Sequence, residues 1–326
     1  MFWRLLVPCL LLVGFAVPAH AAEPATFGVR PATAEAPDSR SDFSYSATPG
    51  AVVKDFVAVS NVSAQPLKLR VYASDAFNTP EGGFDLLPSG RESTDLGKWV
   101  VADRPEVEVG PRSTVIVPFA LTVPANATPG DHTAGLVASL TTEATGTDGQ
   151  RVAVEQRVGA RIYLRVSGDL APRLSIEGLT ASYHGRWFGS GETKLSYVVR
   201  NTGNVRLGGK QKVWVETPWG SVVDGPALGD LPELLPGSTF RVSAVVPGVL
   251  PAGWIDGVAH IDPVAQAGTS PLPAVAEART TTAAPPWIVV IALLGIALVL
   301  VLLTLRRRRS KPSPVTPARE VERVGA

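Results

Sequence analysis

Histidines, cysteines and paired carboxylates are the side chains that most often bind metals, move protons or attack substrates. Few of them stand in usable spacing here. Beyond the N-terminal apolar run the histidines are His132, His184 and His260, far apart and in none of the short spacings that put two imidazoles on one metal. His132 follows a Pro-Gly turn and His260 alternates within an apolar strand pattern, both ordinary places for imidazole. The only cysteine, Cys9, lies inside the N-terminal apolar run, so the rest of the chain has no thiol for a disulfide, a thiolate metal site or a nucleophile. Asp103 and Glu106 could be drawn as an acid–base pair, but such pairs arise by chance among many loop acids. The chain contains no GxSxG, SxxK, HExxH, P-loop or dinucleotide fingerprint. These observations predict a protein that is not an enzyme and needs no cofactor or metal.

Aromatic side chains between turn residues point instead to binding. Residues 182–191, SYHGRWFGSG, gather Tyr183, His184, Arg186, Trp187 and Phe188, while Trp214 and Trp219 bracket a second turn. Residues 77–85, FNTPEGGFD, form a Gly-rich excursion carrying Phe77 and Phe84, with Trp99 further along. Aromatics at loop ends stack on sugars or anchor protein partners, and they also close the ends of β-sandwich cores. The candidate binding residues are therefore Phe77, Phe84, Trp99, Tyr183, Arg186, Trp187, Phe188 and Trp219.

The ends of the chain place these residues in a compartment. Arg4, an apolar run to Val17 and Ala19-His20-Ala21 have the three parts of a secretory signal, which predicts a signal peptide over residues 1–21. Residues 287–305, WIVVIALLGIALVLVLLTL, carry no charge and as a helix would extend about 28 Å, close to the hydrocarbon thickness of a bilayer. Trp287 stands where an interfacial aromatic belongs, and Arg306–Arg309 open a basic tail, 306–326. Positive charge marks the cytoplasmic side, so the expectation is a single-pass type I protein of the cell membrane with its domains outside. No LPxTG motif precedes the span, which argues against a covalent wall anchor. Of 30 Lys and Arg, one is in the signal and seven are in the tail, leaving 22 outside against 27 of the 29 Asp and Glu. A mildly acidic exterior argues against nucleic acid as a partner.

Between the ends, short runs of alternating apolar residues are broken by Pro, Gly, Asn and Asp. Leu67, Leu69, Val71 and Ala73 form one comb; Val115, Val117, Phe119, Leu121 and Val123 form another. Period-two alternation gives each strand one buried and one wet face, and many such strands separated by turns predict an all-β chain of immunoglobulin-like sandwiches. The length suits two in tandem. RVGARIYLRVSG, 157–168, ends the first, so the expected domains are 27–168 and 170–262. VAVSNVSAQPLKLRVY, from Val57, is echoed by YVVRNTGNVRLGGKQKVWV, from Tyr197, which suggests two related sandwiches. Residues 263–286, rich in Pro, Ala and Thr, are expected to form an extended stalk reaching about 75 Å. Asn61-Val62-Ser63 has the form of a glycosylation acceptor. We read Asn61 instead as shaping the turn of a hairpin, Phe56–Ser60 to Leu67–Ala73, through side-chain hydrogen bonds and tolerance of left-handed backbone.

Taken in order, FGVRPA, FSYSATPGAVVKDFVAVSN, ASDAFNTPEGGFD, GKWV, VEVGPRSTVIVPFALTVPANATPGDHTAGL and RVGARIYLRVSG resemble the WxL-interacting protein family of bacterial surface proteins. The resemblance covers most of residues 27–305. It implies a signal, two immunoglobulin-like domains, one transmembrane helix and a basic tail. It also implies peptidoglycan or another cell-wall glycan as ligand of the first domain and a surface protein as partner of the second. A competing reading is a chaperone-like or scaffold factor that captures exported strands by β-augmentation. An unblocked edge strand would favour that reading, and a pocket of upward-facing aromatics would favour glycan.

Overall fold

The structure, a computed structural model, describes residues 25–145 and 150–309; the signal reading and all of the tail beyond Arg309 lie outside the described residues. The chain is all-β, two immunoglobulin-like sandwiches in tandem followed by one long apolar helix.

The first sandwich is built from β1 (Phe27–Ala32), β2 (Phe43–Ala47), β3 (Val52–Asn61), β4 (Leu67–Asn78), β5 (Phe84–Leu86), a single helical turn α1 (Leu96–Trp99), β6 (Val100–Ala102), β7 (Glu106–Val109), β8 (Thr114–Thr122), β9 (Gly130–Thr145) and β10 (Arg151–Val166). One sheet runs β1-β3-β8-β6; the other runs β2-β10-β9-β4-β5, with β7 also pairing β4. The alternating rows meet between the sheets. Val57, Val59, Val117, Phe119 and Leu121 are buried from one side, and Leu69, Val71, Leu136, Ile162 and Leu164 from the other. Each such side chain contributes on the order of 1.5–3 kcal/mol through apolar burial. Phe43 packs edge-on against Phe119, ring centroids 5.1 Å apart.

The expected hairpin from β3 to β4 does not form. Strand β3 pairs with β1 on one edge and β8 on the other, so neither edge is open to β4, which lies in the opposite sheet. The chain crosses between sheets at residues 61–67, and Asn61 organises that crossing. Its Nδ2 donates to the carbonyls of Gln65, Val109 and Gly110 at 2.7–3.0 Å, and its Oδ1 accepts from the Ser63 amide at 2.9 Å. Side-chain hydrogen bonds thus shape the crossing as expected, whereas the only non-glycine residue at positive φ among those described is Arg112.

The second sandwich comprises β11 (Leu174–His184), β12 (Gly191–Asn201), β13 (Leu207–Glu216), β14 (Val222–Asp224), β15 (Leu231–Leu234), β16 (Thr239–Val249), β17 (Gly253–Ala265) and β18 (Ala276–Ala284). Its sheets are β11-β12-β16 and β14-β13-β17-β18, with β15 also on β13. This repeats the first sandwich: β11, β12 and β16 correspond to β1, β3 and β8, and β18, β17, β13 and β15 to β10, β9, β4 and β7. Asn201, the counterpart of Asn61, donates to Val205 and Leu234 carbonyls at 2.7 and 2.9 Å and accepts from the Gly203 amide at 3.0 Å. The sequence echo between the two stretches is therefore a repeat of one sheet-crossing device.

Two boundaries differ from expectation. Residues 77–85 and 128–132 belong to the second compact unit although they lie within the span assigned to the first. Half of the segment read as a stalk is strand: β17 runs on to Ala265, and Ala276–Ala284 pairs with β17 along its whole length, from Ile261↔Ala276 to Gly253↔Ala284. Composition misled because AEARTTTAA has too little apolar surface to build a core. An edge strand needs only small residues facing inward and a neighbour's backbone to bond, and threonine suits that role. Helix α2 (Trp287–Arg309) follows after Pro285 and Pro286. Within Trp287–Arg307 an 18-residue stretch has a mean hydropathy of 3.3 and is not covered by protein, so the helix is long and apolar enough to cross a membrane.

Candidate functional site

The candidate residues of the first excursion are not a free loop. Phe77 and Phe84 are half-buried. Asn78 ties residues 77–85 to β15, donating to the Glu233 carbonyl at 2.9 Å and accepting from the Leu235 amide at 2.8 Å. Gly82 has φ 82°, and a Cβ there would strike Pro232 and Phe240. The excursion is thus a packed segment of the second unit. Trp99 is half-buried in α1 of the first unit, so it does not share a surface with Phe77 and Phe84 within one unit. Helical turn α1 is held by Asp75, whose carboxylate accepts from the amides of Thr94, Asp95 and Gly97 at 2.6–2.9 Å.

The second cluster divides. Tyr183 is half-buried, its hydroxyl donating to the Val249 carbonyl at 3.3 Å. Arg186, Trp187 and Phe188 stand exposed on the β11–β12 connection, and Trp219 is exposed on the tight turn 217–221, closed by the Thr217 amide on Ser221 O at 2.9 Å. Beside the tip lies a depression of about 460 Å³ lined by His184, Arg186, Glu192 and Pro247 among others. Two exposed residues of the same kind were not foreseen, Leu250 and Trp254.

The largest feature missed by sequence reasoning is the N-terminal half of β10. Strand β10 has 16 residues, and its outer neighbour β2 has five. At its C-terminal end Ala160, Ile162, Leu164 and Val166 form a buried row. The same parity continues back through Val158 and, past the exposed Gln156, to Val154 and Val152, which are 44% and 51% exposed. The buried row of the core therefore continues into exposed residues on a strand much longer than its outer neighbour. Sequences usually protect strand edges with Pro, Lys or a bulge. Residues 151–158, RVAVEQRV, contain neither Pro nor Lys, and their charges, Arg151, Glu155 and Arg157, stand on the parity opposite to the valines. The signal was present in Val152, Val154 and Val158, but the shortness of β2 beside so long a strand is a property of the fold.

Fimbrial chaperones are among the solved structures to which the chain is similar. A chaperone–tip adhesin complex of CFA/I fimbriae matches with 12% identity over 79% of this chain and 99% of that one, TM-score 0.37. The class 5 fimbriae chaperone CfaA matches at 11% identity over 79% and 99%, TM-score 0.36. The CupB2 chaperone of Pseudomonas aeruginosa matches at 12% identity over 75% and 98%, TM-score 0.31. No family model and no curated protein matches the chain.

Charged side chains in the first unit serve the scaffold. Asp55 accepts from Arg40 Nη1 at 2.6 Å and Nη2 at 3.1 Å and from the Tyr45 hydroxyl at 2.6 Å, while Arg40 Nε donates to Asp38 at 2.7 Å. Burial pushes the Asp55 carboxyl up, but the hydrogen bonds from Arg40 and Tyr45 outweigh it and hold the group below the usual carboxylate range. Burial, reinforced by the Asp55 bond, pushes the Tyr45 phenol well above its ordinary value. The native state thus binds fewer protons at Asp55 than the unfolded chain. Its stabilisation is full above about pH 4, the unfolded value, and disappears as pH falls through the lower native value. The stability gap between wild type and Asp55→Asn, measured by denaturant unfolding, is expected to narrow steadily below about pH 4. A gap independent of pH would show that the Arg40–Asp55 charge pair contributes nothing.

Proposed function

We propose that this chain is a non-catalytic, membrane-anchored envelope protein whose first sandwich captures an extended segment of an exported partner by β-augmentation along Arg151–Val158. The observation that carries this reading is the apolar row Val152–Val154–Val158 on a strand that outruns its neighbour β2. A strand laid there would bond the backbone edge of β10, at about 0.5–1.5 kcal/mol net per bond, and add side chains to the exposed row. Helix α2 anchors the protein, and Arg306–Arg309 at its end favour a cytoplasmic tail with the sandwiches outside.

The test places a photo-crosslinking residue at Val152 or Val154 in the full-length protein in its own membrane, with Val101, exposed on β6, as control. Specific adducts at 152 and 154 are expected. Val154→Asp should weaken capture at least about tenfold and Val154→Thr should retain most of it, since only the charge is costly against an apolar row. Amide exchange over 151–158 should slow when the partner is bound. Equal adduct yields at Val101 and Val154, or unchanged exchange, would sink the reading.

The resemblance to WxL-interacting proteins supports a second reading, wall-glycan binding by the first sandwich. Full-length protein in detergent should then sediment with purified sacculi. Protein that stays in the supernatant refutes it.

A further inference from the structure

Every exposed Trp or Phe among the described residues of the two sandwiches lies at one end of the second. Trp187 and Phe188 are 72% and 77% exposed on the β11–β12 tip, Trp219 63% on the β13–β14 turn, and Trp254 57% at the start of β17. Leu250, 55% exposed, sits between β16 and β17. Strand pairing puts them together: Gly191 opposes Val249, Glu216 opposes Asp256, and Trp254 opposes Ala283. The same end is where the chain leaves for α2. Strand β18 stops at Ala284, opposite Gly253, and the helix begins at Trp287. Only Pro285 and Pro286 intervene, three peptide steps of about 10 Å at most. The Pro286 carbonyl already accepts from the amides of Val289 and Val290, so the connection is short and stiff.

We propose that this end of the second sandwich docks into the interfacial layer of the bilayer, with Trp187, Phe188, Trp219, Leu250 and Trp254 seated among headgroups and upper acyl chains. The inference rests on the reading of α2 as membrane-spanning. If Trp287 lies at the interface, so short a connection leaves the loop tips within reach of the same plane. Indole and phenyl rings favour that layer because their apolar bodies leave water while the indole N–H keeps a polar partner. Arg186, exposed beside Trp187, is suited to a lipid phosphate. The aromatics would then fix the tilt of the domain above the membrane, as a second attachment beside the helix.

Because Cys9 is the only cysteine, full-length protein carrying Cys9→Ser can be labelled at single introduced cysteines. An environment-sensitive fluorophore would be placed at Phe188→Cys, Trp219→Cys or Trp254→Cys in full-length protein reconstituted into phosphatidylcholine–phosphatidylglycerol vesicles. Val101→Cys on the first sandwich serves as exposed control, and Val290→Cys reports insertion of α2. Spin-labelled lipid is expected to quench the three loop labels at least about twofold more than the label at 101. Quenching at 290 without quenching at the loops overturns the docking proposal while leaving the span intact. Absence of quenching at 290 shows instead that the span reading has failed. Loop labels shielded from water but not quenched by lipid would mean a protein or glycan covers this end, and would also overturn the proposal. Three independent positions guard against a single label that disturbs its own loop.

Discussion

Replacing Asn201 with aspartate is expected to cost the second sandwich about 3–5 kcal/mol, a large share of a typical folding free energy. Asn201 is fully buried and acts as a two-way connector, its amide donating to Val205 and Leu234 carbonyls and its carbonyl accepting from Gly203. Aspartate has the same shape but turns the donor into a second acceptor, setting an oxygen at 2.7–2.9 Å from two carbonyl oxygens. Burying the charge there, or protonating it to recover one donor, is unfavourable in either case. Asn201→Ala should cost less, about 2–3 kcal/mol, since it only leaves groups unbonded. Denaturant unfolding of the full-length protein in micelles should therefore rank wild type above Asn201→Ala and that above Asn201→Asp. The aspartate deficit should also shrink at acidic pH, where the protonated acid can donate once. Equal stability of the aspartate variant would show that the amide is not a buried donor. Asn61, bonded to Gln65, Val109 and Gly110, should behave alike in the first sandwich.

Asp131→Ala is expected to destabilise the second unit by a similar amount, about 3–5 kcal/mol. The Asp131 side chain is 2% exposed and receives Arg165 in bidentate fashion, Nε at 2.7 Å and Nη2 at 2.9 Å. It also accepts from the Arg206 amide at 2.8 Å, and Arg206 Nη1 reaches on to Glu233 at 2.9 Å. The Asp131 bond, partly offset by burial, holds the Arg165 guanidinium above its ordinary value. Removing the carboxylate strands Arg165 in a partly dry site, leaves Arg206 with Glu233 alone, and leaves one backbone amide without its acceptor. The pair itself need not be worth that much, because charges buried together have already lost their hydration. A double variant, Asp131→Leu with Arg165→Met, should therefore recover much of the loss seen in Asp131→Ala. If it is no better than the single variant, the packing of the site rather than its charge carries the effect.

Strand content and the two-sandwich plan were readable because both are local. Alternation in Leu67–Ala73, Val115–Val123 and Val158–Val166 reports a half-buried strand wherever that strand finally pairs. Partners were not readable in the same way. The period of β3 is identical whether its neighbour is β4, as the turn at Asn61 suggested, or β1 and β8, as the fold has it. The β18 segment failed for a related reason: Ala and Thr carry little burial signal, and only the open edge of β17 makes a strand of them. Residues 77–85 looked like a free loop because Gly and Pro are common in loops. In the structure Gly82 is required for close packing on Pro232 and Phe240.

The candidate sites divide along the same line. Composition and spacing alone identified Trp187, Phe188 and Trp219 as aromatics in turns, a hydrophobic segment able to span a bilayer, and a chain without the motifs of an enzyme. Those conclusions depend on residue type and near neighbours, which sequence states directly. Only the tertiary structure decided that Trp254 joins those aromatics at the end where α2 departs, and that β10 outruns β2 with its apolar row exposed. Register between distant strands and the relative lengths of paired neighbours set both features. Neither is written in any one stretch, because backbone hydrogen bonds join strands without regard to their separation along the chain.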